Sequence, residues 1–344
     1  ACKLVCSYLS SRKQRVKIGS IKSNWQVLKR GVPQGSVMGP LLFNIFKNDI
    51  FYFLESHCKL YNYADDDTIS QSDHDISELE RKLSIASVKA VGWFKQNGMQ
   101  ANAPKFQVAL FKKSKIVESL KVKIDRVVLE SQPSVKLLGI TVDEKLTFAD
   151  HISSICKKAA VQVYGLKRLS VYLSRESMFN IYVSFVVSNF LYCPLTWHFC
   201  SKKDTRKVEK MQERTLRILL KDVESDYKML LQKSKRNSLY ITRIKLIITE
   251  MYKIVNGNAP RFVQELFDKK DHIYSLRDND VFVLPSYNTV AYGKNNLSYY
   301  GPFFWNSLEA KYKNANSLNE FKEMLRGWLG PTCNCGFCLV CLLR

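Results

Sequence analysis

Apolar residues recur at alternating three- and four-residue spacing through Ile76, Leu79, Leu83, Ala86, Ala90 and Trp93, which marks one buried helix face. Asp75 with Glu78 supplies an N-cap and capping box ahead of that run, and Asn97-Gly98 supplies its stop. Around this helix the pattern is mixed. Residues 12–28 interleave basic and apolar positions (Arg15, Val16, Lys17, Ile18) and predict a β-hairpin. Gly31, Pro33 and Gly35 predict a rigid turn, followed by a helix from about Pro40 to Leu54 that buries Leu41, Leu42, Ile45 and Ile50. Short strands are predicted at 58–64 and 68–71, and others at 106–111, 121–129 and 135–142.

After residue 145 the periodicity turns helical. Ile152, Ile155, Ala159, Val163 and Leu166 mark one helix. Asp204 is placed to cap a second, with Val208, Met211, Thr215 and Ile218 inward, and a third runs from Leu239 to Val255 before Asn256-Gly257 and Pro260. Tyr, Asn, Gly and Pro crowd 280–310, which predicts irregular chain with short strands. The class expected is α+β.

With 344 residues, 46% of them hydrophobic, the chain can bury a large core in two or three domains. Lys and Arg exceed Asp and Glu by 53 to 31, a formal charge of +22 that fits an anionic partner, nucleic acid most simply. A membrane surface fits less well, since no separate polybasic tail or basic amphipathic anchor is visible. The uncharged run Ser177 to Ser201 has the length of a bilayer span, but Asn180, Ser184, Ser188, Asn189 and Pro194 interrupt it, and a buried helix is expected instead. The N-terminus shows no charged region followed by an apolar one and does not begin with Met, so the chain is expected to be a fragment of an intracellular (cytoplasmic or nuclear) protein. Cys2, Cys6, Cys58, Cys156, Cys193 and Cys200 then read as reduced thiols.

Chemistry concentrates in a few places. Tyr63-Ala64-Asp65-Asp66, with Asp67 and Thr68 behind it, sets adjacent carboxylates on a tight turn. Like charges repel there, and Mg²⁺, a hard ion that takes carboxylate and phosphate oxygens, offsets the repulsion. A solvated turn is the plainer alternative. Gly31 to Ser36 (GVPQGS) lets backbone approach a ligand and offers the Gln34 amide as donor and acceptor, unless it is a simple connection. Residues 202–221 carry Lys202, Lys203, Arg206, Lys207, Lys210, Arg214, Arg217 and Lys221, interleaved with Asp204, Glu209 and Glu213. A salt-bridged solvated face competes with phosphate-backbone binding, and the charge balance favours the latter. Cys333, Cys335, Cys338 and Cys341 form C-x-C-x2-C-x2-C, open to zinc completed partly from elsewhere, to reduced thiols or to intermolecular pairing. Cys193, His198 and Cys200 also look ligand-like, but lie in the apolar run and are expected to pack.

In order and spacing, RGVPQGSVMGPLLFNIFKND (30–49), NYADDDT (62–68), WFKQNGMQANAPKF (93–106) and VKLLGI (135–140) resemble motifs B, C, D and E of reverse transcriptases of the non-LTR (LINE-like) retrotransposon class. The resemblance continues through DHISSICKKAA (150–160), NFLYCPLTWHF (189–199), KVEKMQERTLRIL (207–219), WNSL (305–308) and the Cys-rich end. It implies a partial right-hand polymerase palm, a mixed sheet with helices, over 1–145. A helical thumb-like region over 146–235 and a helical and irregular extension over 236–344 follow. It implies an RNA-directed DNA polymerase acting on RNA template, DNA primer and deoxynucleotides, with two Mg²⁺ ions at Asp65 and Asp66. Gln34 and Gly35 match the template- and nucleotide-contacting loop, and Tyr63 the aromatic of the YxDD turn. Lys105 matches the motif D lysine beside pyrophosphate, and Leu137, Leu138 and Gly139 the primer-grip turn. Asp67 lies beyond the pair and is expected to be a solvated turn residue. The family's motif A aspartate precedes motif B, and nothing here supplies it. Asp49 and Asp75 are the nearest other acids, and neither matches. The metal site is thus incomplete, and residues 1–344 alone are expected not to polymerise. The alternative is a catalytically dead nucleic-acid-binding remnant of such an element. Apolar surface and unpaired strand edge are expected to be exposed on the palm.

Overall fold

The computed structural model describes residues 2–112, 119–124, 126–270 and 282–330. They fall into two compact units that divide between Pro133 and Ser134. Among the described residues every strand lies in a two-stranded antiparallel ribbon that joins consecutive strands or, in one case, the two strands flanking an inner hairpin. The α+β class holds, with the expected mixed sheet present as five separate ribbons.

In the first unit, helix α1 (Cys2–Leu9) precedes a nested hairpin of β1 (Lys13–Gln14), β2 (Lys17–Ile18), β3 (Ile21–Lys22) and β4 (Gln26–Val27), in which β2 pairs with β3 and β1 with β4. The helix expected at 40–54 is two: α2 (Gly39–Lys47) and α3 (Asp49–Leu54). Its predicted buried face is also corrected. Leu41 and Ile45 are 60% and 64% exposed and Leu42 is half-buried, so Ile50 is the one predicted residue in the core. The inward side of α2 carries Gly39 and Lys47 instead. A Cβ on Gly39 would stand 2.9 Å from Ser36 Oγ and 3.0 Å from the Pro33 carbonyl, so the loop can close on this helix only at a glycine.

Strands β5 (Lys59–Tyr63) and β6 (Asp66–Ser70) form the next ribbon, and α4 (Ile76–Gln96) follows, capped by the Asp75 carboxylate accepting from the Glu78 amide at 3.1 Å. The stripe of α4 serves two cores. Ala90 and Trp93 pack with Ile50 and Leu54, while Leu79 packs with Leu120, Val122 and Ile124. The latter three belong to, or adjoin, the ribbon of β7 (Lys121–Ile124) and β8 (Val127–Glu130). The strand predicted at 106–111 does not form. Its Phe106, Val108 and Leu110 pack on this second core as extended chain, because the free edge of β7 is taken by α4: Glu80 Oε1 and Ser84 Oγ accept from the Lys121 and Lys123 amides at 2.6 and 3.0 Å.

The second unit begins with β9 (Ser134–Leu137) and β10 (Ile140–Asp143), whose Ile140 is buried with Ile152, Ala159, Val163 and Leu166 of α5 (Ala149–Leu169). This hairpin therefore packs with the helices that follow it. The apolar run at 177–201 is broken into α6 (Arg175–Ile181), a π-helical turn at 182–187, α7 (Ser188–Leu191) and α8 (Pro194–Trp197), with Cys193 left-handed at φ 45°. Among the described residues no helix is long and apolar enough to cross a membrane.

Helix α9 (Lys202–Leu220) is capped by Ser201, not Asp204. Ser201 Oγ accepts from the Asp204 amide at 3.1 Å and donates to its carboxylate at 2.7 Å. After α10 (Tyr227–Ser234), α11 (Leu239–Val255) runs through the second large core. Helix α12 (Arg261–Gln264) precedes α13 (Leu297–Asn306), which corrects the irregular segment predicted at 280–310. Asn296 caps α13, and Phe304 and Trp305 are buried with Ile247, Ile248 and Met251. Helices α14 (Ala310–Lys313) and α15 (Leu318–Arg326) close this core through Tyr312, Phe321 and Leu325.

Candidate active site

The β5–β6 ribbon pairs Tyr63 with Asp66 and leaves Ala64-Asp65 as a two-residue loop. Side chains alternate between the faces of a strand. Leu60, Asn62, Asp67 and Ile69 accordingly lean inward, while Tyr61, Tyr63 and Asp66 are exposed. Asp65 and Asp66 are both exposed, and neither carboxylate takes a hydrogen bond or ion pair among the described residues. Adjacent, uncommitted, hard oxygen donors at a hairpin tip suit a Mg²⁺ ion.

Asp67 is not the solvated turn residue expected. Its Oδ2 lies 2.8 Å from Lys47 Nζ, with the two side chains 16% and 3% exposed, and its Oδ1 accepts from Asn62 Nδ2. The same ammonium donates to the Ala64 carbonyl at 2.9 Å and lies 5.8 and 5.7 Å from the Phe43 and Phe94 ring centres. Reading the residues missed Lys47, although a lone cation closing the apolar run GPLLFNIFK was the available signal.

Gln34 and Gly35 occupy the exposed turn before α2, with Gly35 at φ 79°. Ser36 Oγ fixes this turn by donating to the Pro33 carbonyl at 2.7 Å and accepting from the Gly39 amide at 3.1 Å. The loop and the carboxylate tip thus sit at opposite ends of α2, nine residues or about 13 Å apart along the axis. Lys105 ends a 3₁₀ turn (Ala103–Lys105) with its side chain exposed, and no bond ties it to the tip. Two open clefts of about 440 and 620 Å³ border α3 and β5, and none of these site residues lines either.

In the second unit Leu138 and Gly139, at φ 46° and 84°, form the two-residue turn of the β9–β10 hairpin. The Tyr192 hydroxyl donates to the Leu138 carbonyl at 2.7 Å, and the Tyr192 carbonyl accepts from Trp197 Nε1 at 2.9 Å. The segment 189–199 therefore braces the turn.

Helix α9 separates its charges by face. Glu209 turns inward beneath Arg243, its Oε1 accepting from the Tyr240 amide at 2.8 Å and lying 3.9 Å from Arg243 Nη2. Burial pushes the Glu209 carboxyl up despite that cation. Burial, then Arg243, pushes His198 well below the usual imidazole range, and its Nδ1 accepts from Arg243 Nε at 3.3 Å. His198 thus packs, as expected, and Cys200 Sγ lies 3.5 Å from Thr205 Oγ1. Asp204 pairs with Lys207 and Glu213 with Arg217. What faces out is Lys203, Arg206, Lys210 and Arg214, all exposed and, among the described residues, held in no ion pair, with Lys203 near enough to Asp204 to feel its charge. Among those residues no cluster of three or more His, Cys, Asp or Glu could hold a metal, and Cys333, Cys335, Cys338 and Cys341 lie outside them.

Residues 2–142 match the family profile "Reverse transcriptase (RNA-dependent DNA polymerase)". By that match they are a reverse transcriptase domain, and the relatives the chain resembles are RNA-directed DNA polymerases of transposons and mobile elements. The chain is 28% identical over 226 residues to the probable RNA-directed DNA polymerase from transposon BS of Drosophila melanogaster, covering 62% of this chain and 25% of that protein. It is 27% identical over 247 residues to the RNA-directed DNA polymerase from mobile element jockey of the same fly, covering 66% of this chain and 26% of that protein. A Pol polyprotein from the type-1 retrotransposable element R1 2 of Nasonia vitripennis is 26% identical over 145 residues, covering 40% of this chain and 35% of that protein. The chain spans about a quarter of the length of the two fly polymerases. Coverage of 66% of this chain necessarily runs beyond residue 142, into the helical second unit. No solved structure matches.

Proposed function

We propose that the chain is the motif B-to-E palm portion and the following helices of an RNA-directed DNA polymerase, with Asp65 and Asp66 as its metal-holding carboxylates. The observation that carries this is the β5–β6 tip, which exposes both carboxylates without a protein partner inside the reverse transcriptase domain. Mg²⁺ held there would activate a primer hydroxyl and neutralise charge on the phosphates. Tyr63, exposed beside the pair, would border the primer end. Gln34, on its braced turn, would present its amide to template and nucleotide while Gly35 lets the backbone approach. Lys105 would neutralise or protonate the departing pyrophosphate. The Leu138-Gly139 turn would support the primer, held by Tyr192. RNA template, DNA primer and deoxynucleotides are the ligands this assignment requires.

A second reading, a nucleic-acid-binding remnant without catalysis, is favoured by one observation: the cation stripe of α9 belongs to the second unit, whereas Asp65 and Asp66 belong to the first. Purified 1–344, tested for Mg²⁺-dependent extension of a primed RNA template, separates the two. Extension that Asp65→Ala abolishes assigns catalysis to this polypeptide. Salt-sensitive binding without extension, which the missing motif A aspartate already leads one to expect of 1–344 alone, assigns it the second role only where Asp65→Ala also removes no bound Mg²⁺. Neither binding nor extension refutes both.

A further inference from the structure

A buried ammonium is costly unless fully paired, and Lys47 takes both its partners from the hairpin tip. One, the Ala64 carbonyl at 2.9 Å, immediately precedes Asp65-Asp66. The other, Asp67 Oδ2 at 2.8 Å, immediately follows it. Ala64 sits at φ 53°, a left-handed conformation that costs a non-glycine residue about 1 kcal/mol or more and persists only where neighbours enforce it. Lower in the ribbon the cross-strand pair Leu60 and Ile69 packs on the core of Ile50, Leu54, Ala90 and Trp93, whereas the tip residues Tyr63 to Asp66 are exposed and outside that core.

We propose that Lys47 is a positioning residue for the Asp65-Asp66 carboxylates, clamping the tip to α2 through Ala64 O on one side and Asp67 on the other. Strand alternation makes the division of labour necessary. Asp67 faces in and is neutralised by the clamp, whereas Asp66 faces out for a divalent cation. The clamp lies at the C-terminal end of α2, whose N-terminal end abuts the Gln34-Gly35 turn, so one short helix would hold both features in fixed register. This inference rests on the metal-binding reading of Asp65 and Asp66.

The test compares wild-type 1–344 with Lys47→Met and Asp67→Asn. Hydrogen exchange is read by mass spectrometry over residues 59–71, with 76–96 as internal reference, and Mn²⁺ binding by electron paramagnetic resonance. Both variants should exchange about tenfold faster at the tip with 76–96 unchanged, and Lys47→Met should bind Mn²⁺ about tenfold more weakly. Removing a cation beside a metal site raises affinity by charge alone, so a fall in Lys47→Met reports geometry. Tip exchange and Mn²⁺ affinity within about twofold of wild type, or acceleration spread equally over 76–96, would overturn the proposal. If wild type shows no Mn²⁺ site that Asp65→Ala removes, the metal reading fails. Tip exchange alone then decides whether Lys47 holds the turn.

Discussion

Neutralising the outward stripe of α9 should flatten the salt dependence of nucleic-acid binding by a calculable amount. Lys203, Arg206, Lys210 and Arg214 recur at three- and four-residue spacing, which puts them on one helix face about 16 Å long. The interleaved acids do not cancel that face, because Glu209 is buried under Arg243 while Asp204 and Glu213 are taken by Lys207 and Arg217. Each phosphate contact contributes about −0.9 to the slope of log affinity against log salt, so four give about −3.6, or roughly 150-fold between 50 and 200 mM salt. Fluorescence anisotropy of a labelled duplex measures the slope, which should be at least that steep for wild type. With all four cations changed to Gln it should be shallower by about 3.6. The buried acids stay in place, so circular dichroism should show an unchanged helix content. A variant whose slope matches wild type to within about 0.5 would refute the assignment of this face.

Other outcomes follow from the interior. Glu209→Gln keeps an oxygen to accept from the Tyr240 amide, turns the Tyr227 contact into one in which the amide NH2 donates to the hydroxyl, and leaves Arg243 buried without an anion. Attraction across 3.9 Å is worth about 4 kcal/mol at an effective dielectric of about 20, and urea unfolding should show a loss of about 3 kcal/mol. A cost under about 0.5 kcal/mol would show that the pair contributes nothing. His198 is held neutral by burial beside Arg243, so only the unfolded chain gains its proton on mild acidification. Stability should be full above pH 6.5, the ordinary imidazole value, and fall as pH drops below it toward the depressed folded-state value. His198→Gln should remove that slope in thermal unfolding measured from pH 7 to pH 5, and an unchanged slope would exclude the imidazole as its source. Gly39→Ala should cost about 1–3 kcal/mol, because its Cβ meets the Pro33 carbonyl at 3.0 Å. Gly92→Ala, with nothing within 4 Å inside α4, should instead gain about 0.5–1 kcal/mol. Equal thermal shifts for the two glycines would contradict this steric account.

Long amphipathic helices were legible in the sequence because their stripes and caps agree. The faces expected for α4 and α5 are the ones in the core, α11 spans the residues expected of it, and Asp75 caps where its spacing with Glu78 indicated. Helix α13 was hidden by composition. Gly301 and Pro302 punctuate it as a turn would, yet Gly301 lies where a Cβ would stand 2.8 Å from Met251 Sδ, and the aromatics around it fill the groove beside α11. In α2, Leu41 and Ile45 stay exposed because the inward side is fixed by a glycine contact and an ion pair, which periodicity does not register. The Asp65-Asp66 tip in the first unit and the Leu138-Gly139 turn in the second were each legible in the sequence as turns. The Lys47–Asp67 clamp was not, since it joins residues twenty positions apart across two elements.

The locality of strand pairing among the described residues has a consequence for how the chain forms. Each ribbon closes within a short stretch, from Lys13 to Val27 at the longest and from Lys17 to Lys22 at the shortest. Strand partners therefore find each other with little loop-closure entropy, and order of synthesis imposes no waiting for a distant segment. The slow events in the first unit are then the dockings that span more chain: α4 onto the β7–β8 ribbon, through Glu80 and Lys121 forty-one residues apart, and Lys47 onto the tip of β5–β6. The carboxylate turn would acquire its fixed geometry late, when an already zipped hairpin is latched from the side.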